Sequence, residues 1–156
     1  MAIKNDNTVY IALGSNVGNR FYNIKDAIFR LAEKIKILEI STIEETDPAG
    51  FSAQEKFLNC VVKGSTDFPC REVFSLCKEL EREMGRRPNF QNGPRVIDLD
   101  LLLYNEEVVD SADLKIPHPR LHERKFVLKP LSELSPHLLH PTIKKTVSEL
   151  LIELGK

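Results

Sequence analysis

Two aspartates, one residue apart in an apolar run, are the side chains of this sequence best placed to do chemistry. Asp98 and Asp100 interrupt Val96-Ile-Asp-Leu-Asp-Leu-Leu-Leu-Tyr104, whose leucine and β-branched content is that of a central strand buried on both faces. Side chains alternate along a strand, so the two carboxylates share a face, about 6.6–7 Å apart along the chain. Two carboxylates taken out of water repel each other and are costly unless a cation lies between them. For an arbitrary pair of this kind the common partner is an arginine or lysine. Here Arg95 has the wrong parity to reach that face if the strand runs straight, and Gly93-Pro94 places it in the preceding loop. Hard oxygen ligands with open positions and no Cys or His beside them suit Mg²⁺ held partly by substrate phosphates.

Cations are grouped on either side of the pair. Arg86 and Arg87 precede it in a loop, Arg95 stands just before the strand, and His118, Arg120 and Arg124 follow. Each alone reads as a solvated surface residue. Together their forks match phosphate oxygens, and with the aspartates they indicate a polyphosphate–Mg²⁺ site. His118, His122, His137 and His140 do not make a zinc site, because no uninterrupted helix carries them and no Cys or Glu completes the set.

The elements that must position these residues follow from periodicity. Thr8 to Leu13 alternates as a strand and ends in the turn Gly14-Ser-Asn-Val-Gly-Asn19, which lacks the lysine of a P-loop and the third glycine of a dinucleotide fingerprint. Arg20 to about Ile35 carries Phe21, Ile24, Ile28, Leu31 and Ile35 on one helical stripe. Ile37 to Glu45 reads as a second strand and Phe57 to Lys63 as a third, able to pair as an antiparallel hairpin. A second helix follows Pro69, with Val73, Cys77, Leu80 and Met84 inward and Gly85 as its stop. The aspartate strand comes next, with a return strand around Val108-Val109. The order β-α-β-β-α-β predicts an α+β, ferredoxin-like core with an antiparallel sheet. The proline-broken segment 114–128 predicts an extended loop before a short helix at 123–134, and 146–154 predicts a last helix.

A length of 156 residues, with 42% hydrophobic and 29% charged residues, bounds the chain to a single domain, 1–156. A net charge of −1 gives no basic excess for nucleic acid or membrane surfaces. The N-terminus lacks an apolar signal core, so a cytoplasmic location and a monomer are expected. Cys60, Cys70 and Cys77 are odd in number, form no C-x-x-C, and read as reduced core cysteines.

Gly93-Pro-Arg-Val-Ile-Asp-Leu-Asp-Leu-Leu-Leu103 resembles the signature of the 6-hydroxymethyl-7,8-dihydropterin pyrophosphokinase family, folate-pathway enzymes that move pyrophosphate from ATP to a pterin alcohol. Leu13-Gly-Ser-Asn16, Thr46-x-Pro-x-Gly50, Phe57-Leu-Asn59 and Pro117-His-Pro-Arg-Leu-His-Glu-Arg-Lys-Phe-Val-Leu128 are similar to the family in the same order. The resemblance runs from about Thr8 to Pro141. It implies that Asp98 and Asp100 bind two Mg²⁺ ions and that ATP is the co-substrate. It further implies that Phe57 and Phe126 sandwich the pterin while Asn59 and Thr46 read its polar edge. Arg86, Arg95, His118 and Arg124 would meet nucleotide phosphates or ribose, with Glu81, Leu101 and Lys115 also on the nucleotide. The implied reaction is an in-line attack of the pterin hydroxymethyl oxygen on the β-phosphorus, with Asp98, Asp100, Arg86 and Arg95 as the catalytic set.

The sequence departs from the family at Lys78, where glutamine is common, and at Asn92, where many members have tryptophan. The loop from Gly85 to Gly93, with Pro88 and Phe90 inside it, is expected to act as a nucleotide-ordered lid. Two other classes compete: a two-metal nucleotidyl transferase, which would release pyrophosphate rather than AMP, and a non-catalytic ferredoxin-like binding module. The third strand lacks the aromatic-and-glycine pattern of an RNA-binding strand.

Overall fold

The computed structural model describes residues 7–47, 55–85 and 95–155. The chain runs β1 (Asn7–Ser15), α1 (Arg20–Ala32), β2 (Lys36–Ile40), β3 (Glu44–Thr46), β4 (Phe57–Thr66), α2 (Cys70–Glu83) and β5 (Asp98–Tyr104). A small addition follows: β6 (Val109–Asp110), β7 (Lys115–Ile116), a 3₁₀ turn at Leu121–Glu123, α3 (Lys125–Leu134) and α4 (Val147–Leu154). The main sheet has the order β2-β4-β1-β5, with β3 continuing alongside β4, and every pairing in it is antiparallel. This is the expected ferredoxin-like arrangement, with one strand broken in two.

The break falls at Ser41. Its N–H donates to the Val61 carbonyl and its Oγ accepts the Val61 N–H, both at 2.9 Å, so β4 keeps its bonds where the partner strand is interrupted. The neighbouring Thr42 donates its N–H and hydroxyl to the Glu133 carboxylate, which ties the break to α3.

The sheet separates two apolar layers. Ile24, Ala27 and Leu31 of α1, and Val73, Cys77 and Leu80 of α2, pack with Val9, Ile11, Leu13, Leu99 and Leu101. On the other face Tyr10, Val61 and Leu103 pack under Val127, Leu128 and Leu131 of α3 and Val147 and Leu150 of α4. Ala27 rather than Phe21 completes the stripe of α1. Phe21, in the first turn, stays 51% exposed, with the Lys25 ammonium 5.3 Å from its ring centre. The three cysteines are buried free thiols, and burial pushes those of Cys60 and Cys77 up to about 12, so they are inert packing groups.

Three expectations need correction. The aspartate strand is an edge strand, not a central one, although both its faces are buried; the backbone N–H of His118 covers its open side by donating to the Leu102 carbonyl at 2.9 Å. It begins at Asp98 because the chain bends at Val96. The return strand exists as β6 but pairs with β7 in a separate two-stranded sheet, because the 117–128 segment takes the place beside β5. The proline-broken segment 114–128 holds β7 and the 3₁₀ turn, so it is less irregular than its prolines suggest.

Candidate active site

The site grows out of the register of β5 on β1. Asp98 lies opposite Gly14 and Asp100 opposite Ala12, and on the far side of β1 Gly14 lies opposite Asn59 of β4. A bulge between Tyr10 and Ile11 changes parity only at Leu102, beyond the pair, so both carboxylates stay on the α3 face. Between the carboxylates and Asn59 the sheet therefore presents only the small residues Ala12 and Gly14, a floor on which a flat molecule can lie. A Cβ on Gly14 would stand 2.8 Å from Asn59 Oδ1 and 3.5 Å from Phe57 Cδ1, so this approach requires glycine.

A cavity of about 140 Å³ opens on this floor. Asp98, Asp100, Arg95, Thr46, Phe57, Asn59, Arg124 and Phe126 all line it, which brings together eight of the residues expected from the sequence. Asn59 donates from Nδ2 to Thr46 Oγ1, which orients its amide. The Arg124 guanidinium lies 5.5 Å from the Phe126 ring centre, over the ring. Arg95 reaches the cavity despite its parity because the chain bends at Val96, and its backbone is clasped from the first turn. Asn16, 2% exposed, accepts the Arg95 N–H on Oδ1 at 2.7 Å and donates its own N–H to the Arg95 carbonyl at 3.0 Å. The Gly14–Asn19 turn thus anchors the aspartate strand rather than cradling phosphate.

A second cavity, of about 320 Å³, lies on the other side of Asp100. Leu101, Lys115 and His118 line it, together with Phe74, Lys78 and Leu99. Asp100 is common to both cavities. The Lys115 ammonium pairs with Asp110 at 2.5 Å. His118 is not a cation: burial, with Arg124 adding, pushes it down to about 4. Its Nδ1 accepts the Arg120 N–H at 3.2 Å, so the ring proton sits on Nε2 and the side chain is a neutral donor. Glu81 lines neither cavity. It is 2% exposed behind β5 and accepts the N–H of Leu99, the residue between the two aspartates, at 2.7 Å. Lys78 supplies its counter-charge, with Nζ 3.3 Å from Oε1.

The Asp98 carboxylate acts on the charge of Asp100. Burial first, then the Asp98 carboxylate, push Asp100 up to about 7, against the opposing pull of Lys78 and Arg124. Lys78 and Arg124 only partly offset the rise, and a divalent ion would add to their pull. Among the described residues no third acidic, Cys or His side chain joins the pair as a ligand, so a hard ion here would draw its remaining oxygens from substrate or water.

Arg120 stands apart, exposed and paired with Glu123. Arg86, Arg87, Asn92 and the rest of the 86–93 loop lie outside the described residues. Reading the sequence did not single out Ala12 or Gly14 as parts of the cavity, or Asn16 as the residue that holds the Arg95 backbone beside it. The one available signal was Leu13-Gly-Ser-Asn16 itself, since only register shows that its glycine faces Asn59 and its asparagine faces Arg95.

Residues 10–136 match the family model described as 7,8-dihydro-6-hydroxymethylpterin-pyrophosphokinase (HPPK). A 2-amino-4-hydroxy-6-hydroxymethyldihydropteridine pyrophosphokinase of Aquifex aeolicus is 44% identical over 142 residues, 91% of this chain and 89% of that protein. One of Bacillus subtilis is 41% identical over 131 residues, 83% of this chain and 78% of that protein. The folic acid synthesis protein FOL1 of Dictyostelium discoideum is 41% identical over 149 residues, but the match takes up only 23% of its length. A solved Plasmodium falciparum HPPK-DHPS with pteroate shares the fold at a TM-score of 0.76 and 16% identity, covering 98% of this chain and 43% of that one. The match to the family model across most of the chain, and this level of identity over most of the length of the Aquifex aeolicus and Bacillus subtilis relatives, make the chain a member of the 7,8-dihydro-6-hydroxymethylpterin-pyrophosphokinase family.

Proposed function

We propose that this protein transfers pyrophosphate from ATP to the hydroxymethyl group of 6-hydroxymethyl-7,8-dihydropterin and releases AMP, a step of tetrahydrofolate biosynthesis. The observation that carries the reading is the position of Asp100 on the wall shared by two unlike cavities. One has aromatic sides and an amide-and-hydroxyl edge, as a flat heteroaromatic ring needs. The other carries Lys78, Lys115, the neutral donor His118 and the carboxylates of Asp100 and Asp113 among apolar walls, a mixture that suits a nucleotide held with a metal ion.

Phe57 and Phe126 hold the pterin ring, and Asn59, oriented by Thr46, reads its edge. The floor of Ala12 and Gly14 lets the ring approach β1 closely and turns its hydroxymethyl group toward Asp98 and Asp100. The pterin oxygen bonds to the β-phosphorus, the bond from that phosphorus to the α,β-bridging oxygen breaks, and the electron pair leaves with AMP while the hydroxyl proton passes to solvent. The carboxylates fit two Mg²⁺ ions, which would supply charge neutralisation for the phosphates and ease loss of the hydroxyl proton. Arg95 and Arg124, lining the pterin-side cavity with both aspartates, offset charge on the transferred group. His118 donates from Nε2 to a phosphate or ribose oxygen and does not act as a base, since a group with a pKa of about 4 that already uses Nδ1 as an acceptor holds a proton poorly.

The cavities and their separation favour transfer between two small molecules over a binding module. The test is to incubate the protein with Mg-ATP and the pterin alcohol and identify both products. AMP with a pterin diphosphate supports the reading, whereas pyrophosphate with an adenylylated product would assign the site to nucleotidyl transfer. Monomeric state and cytoplasmic location belong to the same proposal; among the described residues, no helix is long and apolar enough to cross a membrane.

A further inference from the structure

We infer that Glu133, a surface carboxylate of α3 outside the lining of both cavities described above, is a positioning residue for the pterin: through Thr42 it sets the spacing between Thr46 and Phe126. This rests on the pyrophosphokinase reading above and on the roles given there to Thr46, Asn59 and Phe126. A third cavity, of about 400 Å³, lies between β3 with its lead-in and α3, and shares Thr46, Asn59 and Phe126 with the pterin-side one. Its walls are Thr42 and Glu44 on one side and Lys125, Lys129 and Pro130 on the other. Open space thus separates β3 from α3 behind the pterin slot, and the contacts that bridge it hold their distance.

The Glu133 carboxylate accepts the Thr42 N–H and the Thr42 hydroxyl, each at 3.0 Å on Oε2. The Lys129 ammonium lies 3.1 Å from Glu44 Oε2, but with side chains 56% and 42% exposed this ion pair contributes little. The Thr42 contact is the stronger, because a charged acceptor holds two donors at once and one of them is backbone. Thr42, Glu44 and Thr46 recur two residues apart, as along a strand, while Phe126, Lys129 and Glu133 recur at helical spacings of three and four. The two series meet in reverse order: Glu133 on Thr42, Lys129 on Glu44, and Phe126 sharing a cavity wall with Thr46. That last place is the slot the pterin fills, and its width follows from the contacts behind it. Val127, Leu128 and Leu131 fix α3 on the sheet but leave its β3 side to these bridges. The first turn of α3, which carries Phe126, depends on them further, since Arg124 gives no side-chain cap and Pro130 has no N–H for the Phe126 carbonyl.

The test compares wild type, Glu133→Ala and Glu133→Gln by steady-state kinetics and by titration of the pterin alcohol. Glu149→Ala, which breaks the capping box of α4, serves as a control for lost stability alone. Glu133→Ala should raise the KM for pterin and weaken pterin binding roughly tenfold, with kcat and the KM for ATP within about twofold of wild type. Glu133→Gln keeps an acceptor for Thr42 and should stay within about threefold of wild type in every constant. Glu149→Ala should lower the melting temperature and leave the KM for pterin unchanged. An unchanged KM for pterin in Glu133→Ala, equal rises for pterin and ATP, a Gln variant as impaired as the Ala variant, or the same rise in Glu149→Ala would overturn the assignment while wild type still releases AMP. A wild-type protein that releases pyrophosphate instead of AMP would overturn the enzyme reading itself, and this inference with it.

Discussion

Replacing Asp100 by Asn should make the metal-free protein more stable and nearly inactive. In the fold Asp100 is pushed up to about 7 from an ordinary 3.8. A raised folded-state pKa means that the folded protein holds this proton more tightly than the unfolded chain does. The stabilising contribution is therefore fully present below about pH 3.8 and is lost as the pH rises through about 7. A difference of about 3 pKa units sets an upper limit of roughly 4 kcal/mol; because the carboxylate is partly exposed, screening reduces this to about 1–3 kcal/mol. At pH 8 in EDTA, Asp100→Asn should then melt about 3–10 °C above wild type, and at pH 4 the two should coincide. Millimolar Mg²⁺ should raise the melting temperature of wild type at pH 8 more than that of the variant, since the ion needs the charge that Asn lacks. Turnover should fall by about a hundredfold or more. The assay is thermal unfolding across pH with and without Mg²⁺, alongside AMP release. A variant that melts below wild type at pH 8 in EDTA, or that turns over normally, would show that Asp100 is a structurally paired carboxylate and would remove the metal assignment.

Phe57→Ala and Phe126→Ala should weaken pterin binding more than ATP binding, each losing about 1 kcal/mol of stacking beyond buried area; equal losses of both ligands would mark them as core residues. Gly14→Ala should raise the KM for pterin roughly tenfold with little change for ATP, because its Cβ would stand 2.8 Å from Asn59 Oδ1 and push the amide off Thr46; an unchanged KM would mean that the floor is not part of the pterin site. Glu81→Ala should cost about 1–3 kcal/mol by stranding the Leu99 N–H, whereas Glu81→Gln, still an acceptor, should cost less; denaturant midpoints that rank them the other way would refute the role of that bond. Pterin should bind more tightly in the presence of Mg²⁺ and a non-hydrolysable ATP analogue, and identical affinities by titration would remove the coupling between the two sites.

Much of this was legible from local pattern. Alternation and helical spacing located the strands, α1 and α2, because one-sided burial leaves a periodic trace in the chain. The same two-residue period put Asp98 and Asp100 on one face, and carboxylates in an apolar strand announce that a cation is needed. Tertiary structure decided the rest. Edge or central position depends on which strand lies alongside, and the apolar run of β5 reads as central because the helices bury both its faces while the His118 N–H covers its open side. Arg95, out of parity on a straight strand, lines the cavity because the chain bends at Val96, and that bend is a tertiary feature. His118 reads as a cation in sequence, and only burial beside Arg124 makes it a neutral donor. Gly14 and Asn16 carry no local signal beyond the Leu13-Gly-Ser-Asn16 motif: each acts through a residue distant in sequence, and such meetings are set by strand register, which a one-dimensional pattern does not contain.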